Sequence, residues 1–69
     1  MKKISVLIAG RHATSISLEE EFIDALKEIS QTHKKSINDI VTQIDAARTN
    51  ENLSSAIRVY ILKEIKNRK

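Results

Sequence analysis

The 69-residue chain has no cysteine, no proline and no tryptophan, and it has one glycine. Without cysteine there is no disulfide and no thiol nucleophile, and with only His12 and His33 a structural zinc site lacks its usual ligand set. A single glycine rules out a glycine-rich phosphate loop, and no His-x-x-x-His spacing is present. Glu19, Glu20 and Glu21 are adjacent, so as helical residues they do not converge on one face as paired catalytic carboxylates would. Neither an enzyme nor a bound cofactor or metal is expected. No apolar run is longer than Val6–Ala9, far below the ~20 residues of a membrane span and short of a signal-peptide core. A cytoplasmic protein with no membrane partner is the expectation.

A chain this short makes one domain, residues 1–69, and alone it buries only about 60% of its unfolded surface. Such domains are usually supplemented by disulfides, a metal or a partner chain. The first two are excluded, which leaves oligomerisation. At 41% apolar and 30% charged residues, the composition is that of a folded chain. The formal charge is only +3, but it is unevenly placed. Residues 1–18 carry Lys2, Lys3 and Arg11 and no acid. Glu19, Glu20, Glu21, Asp24 and Glu28 then face Lys27 alone, and from Leu53 onward Arg58, Lys63, Lys66, Arg68 and Lys69 face only Glu64. Acids at a helix start and bases at a helix end complement the helix dipole, and this accounts for part of the pattern. It does not account for Lys34 and Lys35, which stand immediately before a helix start.

Ile4, Val6 and Ile8 share one parity, with Ser5 and Leu7 on the other, in a β-branched stretch, and Gly10 interrupts the pattern. Alternation resumes with His12, Thr14, Ile16 and Leu18 on one side and Arg11, Ala13, Ser15 and Ser17 on the other. Strand structure is expected within residues 3–18, with the first segment either extending the second or folding back on it through Gly10. The period then changes to 3.6. Phe22, Leu26, Ile29 and His33 mark a helix at about 20–32, and Glu19–Glu21 are expected to satisfy the free N–H groups of its first turn. Ser36 and Asp39 resemble a capping box opening a helix at 37–48, with Ile37, Ile40, Val41, Ile44 and Ala47 on its apolar side. After the polar break at Thr49, Asn50 and Asn52, a third helix spans about 54–66. Its main stripe is Ala56, Ile57, Tyr60, Ile61 and Ile65, widened by Val59 and Leu62 beyond what one neighbour covers. That excess points to an interface between chains. The basic end, Lys66–Lys69, is expected to fray.

The side formed by Arg11, Ala13, Ser15 and Ser17 is small, polar and free of acids. A two-stranded antiparallel ribbon fits the major groove of B-DNA, where serine reaches base edges and arginine binds guanine. These four residues are the candidate base-facing set. Lys34, Lys35, Ser36 and Ile37 combine basic side chains with the free N–H groups of a helix start, a suitable grip for a DNA phosphate. Lys2, Lys3 and His12 join them as candidate phosphate contacts, while His33 at the end of its stripe reads as a helix cap or core-margin residue.

The blocks "ATSISLEEEFIDALKEIS", "KKSINDIVTQI" and "NLSSAIRVYIL", between Ala13 and Leu62, resemble the ribbon-helix-helix proteins, and in particular a group of small bacterial predicted DNA-binding proteins. The resemblance implies a mainly α fold with a short N-terminal β ribbon. It also implies an intertwined homodimer, two copies of residues 12–18 pairing antiparallel about a two-fold axis, that binds double-stranded DNA as a small transcriptional regulator or repressor. By position it places Ala13, Ser15 and Ser17 toward bases and the helix start at Ser36 and Ile37 on phosphate. The sequence departs from the usual pattern in its short groove-facing side chains, in "THKKS" without glycine before the second helix, and in the additional helix after Ala47. A dimeric protein-interaction module of antitoxin type, with a second protein as partner, is the alternative.

Overall fold

The computed structural model describes residues 1–49 and 51–67; Asn50 of the polar break and Arg68 and Lys69 of the basic end lie outside the described residues. Two strands, β1 (Lys2–Ile8) and β2 (His12–Leu18), precede three helices, α1 (Glu20–His33), α2 (Ile37–Ala47) and α3 (Leu53–Lys66). The first strand folds back. β1 and β2 form an antiparallel hairpin that pairs Lys3 with Ser17, Ser5 with Ser15 and Leu7 with Ala13. Its turn explains the interruption at Gly10. Ala9 and Gly10 both have positive φ, 54° and 68°, and the Arg11 N–H donates to the Ile8 carbonyl at 3.0 Å, as in a type I′ turn.

Alternation gives the hairpin one inward face. Val6, Ile16 and Leu18 are buried there, with Ile4 and Ile8 packed against them. The three helices cover this face with Ile23, Leu26, Ile29, Ile40, Val41, Ile44, Ile57 and Ile61. In α1 the buried stripe runs through Ile23 and Ser30, while Phe22 is only half-buried and His33 is exposed. The expected stripe was therefore rotated by part of a turn. In α3, Ile57 and Ile61 are fully buried, but Ile65 joins Val59 and Leu62 on the exposed side.

Helix ends follow local chemistry. The Ser36 hydroxyl accepts from the Asp39 N–H at 3.1 Å, and the Asn52 side chain accepts from the Ser55 N–H at 3.1 Å. Glu19 does not cap α1 with its side chain, contrary to the reading of the acidic run. Its carboxylate turns instead to Arg58 Nε at 3.0 Å, joining the start of α1 to α3. At the other end of α1, Lys34 adopts the left-handed conformation, φ 54° and ψ 41°. Lys34 N–H then bonds to Gln31 O and Lys35 N–H to Ser30 O, at 3.1 and 2.9 Å. This is the Schellman arrangement, with lysine at the position glycine usually takes.

Both outer edges of the hairpin receive side chains from the helices. On the β1 side, the Leu7 N–H donates to Asn38 Oδ1 at 3.0 Å and the N–H of the turn residue Ala9 to Thr42 Oγ1 at 2.9 Å, both acceptors from α2. On β2, Ser17 N–H donates to Ser54 Oγ at 3.3 Å, and Arg58 donates to the Ser17 carbonyl at 3.3 Å, both from α3. These bonds blunt strand edges that would otherwise template further pairing.

Candidate nucleic-acid interface

The hairpin turns its other face to solvent. Arg11, Ala13 and Ser15 are exposed and Ser17 is half-buried, so the four candidate base-facing residues lie along one edge of a single surface. The paired strand adds Lys3, Ser5 and Leu7, all exposed, to the same surface. No acid belongs to either strand or to the turn between them.

Of the candidate phosphate contacts, Lys2, Ser36 and Ile37 come together. They line a groove of about 360 Å³ between β1, α1 and the start of α2, with Ser5, Lys27 and Asn38 also in its wall. Lys34 and Lys35 are exposed in the turn immediately before this helix start. Lys3 stands apart, on the ribbon face opposite Ser17. His12 is exposed beside the hairpin turn, opposite Ile8 and away from the groove. Lys27 was not singled out from the sequence. Its signal was its isolation as the one base in the acidic run 19–28, three residues before buried Ser30.

The electrostatics beside the ribbon are organised by Arg58. It bonds Glu19 and the Ser17 carbonyl and lies 6.0 Å from the centroid of the Phe22 ring. Its own backbone N–H first, and then the Arg58 guanidinium, hold the Glu19 carboxyl below its ordinary pKa. Glu19, which directly follows β2, is thus engaged internally, while Glu20 and Glu21 lie with it beside Met1 and Lys2. His33 Nε2 meets Glu64 Oε1 at 2.5 Å and ties the far end of α1 to α3, a structural role remote from the ribbon face.

A family model described as a ribbon-helix-helix domain matches residues 1–65. The chain belongs to the ribbon-helix-helix family. Comparisons with curated proteins and with solved structures find no match. Ribbon-helix-helix domains are non-catalytic modules that bind DNA or protein, and the family includes DNA-binding regulators and antitoxin-like proteins. Among the described residues no three metal-ligating side chains gather, and no helix is long and apolar enough to cross a membrane. In this ribbon-helix-helix chain one edge of β2 is taken by the chain's own β1, and the end of the other edge at Ser17 is closed by α3. The missing glycine of "THKKS" is supplied in conformation, though not in residue type, by Lys34.

Proposed function

We propose that the protein binds double-stranded DNA sequence-specifically as a homodimer and acts as a small transcriptional regulator of repressor type. One observation carries this reading: the solvent face of the hairpin is acid-free, carries exposed basic side chains, and has the two-stranded width that the major groove admits. Arg11, Ala13, Ser15 and Ser17 face the bases. Lys2, Lys34, Lys35 and the start of α2 at Ser36 and Ile37 hold the flanking phosphates, with His12 reaching the backbone from the turn end. Binding is the whole mechanism, and phosphate contacts supply affinity while ribbon side chains select sequence. The homodimer is supported by an apolar stripe on α3, where Val59, Leu62 and Ile65 are all exposed.

The same α3 stripe favours the second reading, a protein-interaction module with little DNA affinity. Titrating the protein with random-sequence duplex across a salt series separates the two. DNA binding predicts an affinity that falls linearly, on logarithmic axes, with salt concentration. An absence of binding even at low salt rejects it and leaves the interaction module.

A further inference from the structure

The ribbon face has two strands, and the base-facing set above draws on β2 and the turn alone. The hairpin places Lys3, Ser5 and Leu7 directly across from Ser17, Ser15 and Ala13. We infer that β1 supplies the other half of the reading face, with Lys3, Ser5 and Leu7 toward the bases, and that the Leu7–Ala13 row recognises thymine through its methyl group. The inference rests on the double-stranded DNA reading and adds to it the strand and the base.

One chain completes the ribbon. A pseudo-two-fold relation runs through the Ser5–Ser15 pair. Moving ten residues on from Leu7 in β1 gives Ser17 in β2, and moving sixteen on from Asn38 in α2 gives Ser54 in α3. The strand N–H at each first position donates to the helix side chain at each second. The same steps relate the N-caps Ser36 and Asn52, and the pair Ala9 and Thr42 to the pair Glu19 and Arg58, which are again in contact. Buried Val6 and Val41 correspond to buried Ile16 and Ile57. The hairpin therefore sits between two equivalent helices, and its two strands stand in equivalent positions over the same core.

Strands lie about 4.8 Å apart, so two strands enter a major groove about 12 Å wide, whereas a four-stranded sheet spans roughly 14 Å from first to last backbone. The ribbon that fits is the one within the chain, and both of its strands then meet the groove floor. Lys3, placed on phosphate by its sequence position, projects from this face.

Leu7 is 39% exposed, although large apolar side chains on this hairpin otherwise face the core. It is paired with exposed Ala13, and the two form an apolar row next to basic Arg11. The only apolar group a base pair presents in the major groove is the thymine C5-methyl. Successive rows of the ribbon are about 6.8 Å apart, close to two base-pair rises. The rows Leu7–Ala13, Ser5–Ser15 and Lys3–Ser17 thus meet base pairs about two apart, with the guanine-seeking lysine at the opposite end from the methyl-seeking leucine.

The test begins with selection of a preferred duplex from a random-sequence library by the full-length protein. Affinity is then measured for that duplex and for the same duplex with deoxyuridine replacing thymine. The parent should favour thymine by about fourfold per contacted methyl. In Leu7→Ser, and independently in Leu7→Gln, the ratio should fall to about one, with circular dichroism confirming the fold. Lys3→Ala should weaken the selected duplex more than random duplex. Salt-sensitive binding with no preferred duplex, or with a thymine-to-uracil ratio unchanged in both folded Leu7 variants, overturns the inference and leaves DNA binding standing. No binding by the parent at low salt overturns the DNA reading itself, and the inference falls with it.

Discussion

Lys34 is a lysine in a glycine's conformation, and that has a measurable consequence. Its φ of 54° and ψ of 41° lie in the left-handed region, where an L side chain costs about 1–2 kcal/mol. Glycine removes that cost but gives back about 0.4–1 kcal/mol by loosening the unfolded chain. Lys34→Gly should therefore be more stable than Lys34→Ala by roughly 0.5–1 kcal/mol, with alanine the proper comparison because both variants lose the charge near the helix end. In a domain of this size that separates their melting temperatures by about 3–6 °C. Lys35, which has an ordinary negative φ, provides the contrast: Lys35→Gly should melt below Lys35→Ala. The same proteins report on DNA. Both Lys34 variants should lower the salt slope equally, by at most about one phosphate's worth, because slope follows charge and not backbone geometry. Thermal melts by circular dichroism and a duplex titration in two salts suffice. If Lys34→Gly melts at or below Lys34→Ala, the turn is not held in the left-handed state and the conformational reasoning is wrong.

Further expectations concern the core, the strand edges and acid. Leu26→Ala, at a fully buried site, should cost about 2–5 kcal/mol in urea denaturation, a large share of what a domain this small has in total. Ile16→Asp should abolish folding, since the carboxylate would enter the core under the hairpin without a partner; a cooperative native-like melt would contradict this. Asn38→Ala should speed amide exchange at Leu7, and Ser54→Ala at Ser17, each leaving the other amide unchanged. Glu19 has a depressed pKa in the folded protein, so its contribution is present above the ordinary value of 4.5 and is lost as pH falls through the lowered one. Glu19→Gln should flatten the acid limb of the stability curve in that window and leave the neutral limb's shape unchanged.

The alternation of Ile4, Val6 and Ile8 and of Ile16 and Leu18 was enough to show two half-buried strands, because a period of two has one physical meaning. The face carrying Arg11, Ala13, Ser15 and Ser17 followed from the same parity. What parity cannot show is the partner. Whether β1 folds back depends on Ala9 taking a positive φ, which nothing in alanine signals. The α1 stripe differs at its ends because Ile23 and Phe22 are neighbours that both suit a core, and Ile23 is the one turned toward β1 and the start of α2, while Phe22 lies half-buried beside Arg58. Lys27 was passed over as one base among acids; its place in the groove with Lys2 and Ser36 depends on how α1 lies against β1. Glu19 was read as a local cap, while a long-range bond to Arg58 across 39 residues took its carboxylate instead.

The two strands of the hairpin occupy equivalent positions but carry different side chains: Lys3, Ser5 and Leu7 on one, Ala13, Ser15 and Ser17 on the other. A ribbon made of identical strands looks the same after a half-turn and suits a palindrome. This one does not. Turned end for end, it would set Ser17 where Leu7 had been and Lys3 where Ala13 had been, so one protomer distinguishes the two directions along a duplex and matches a sequence with no internal symmetry. Any palindromy in a bound site would then arise between protomers, from the spacing and inversion of two such directional segments, and not within the stretch that a single ribbon covers.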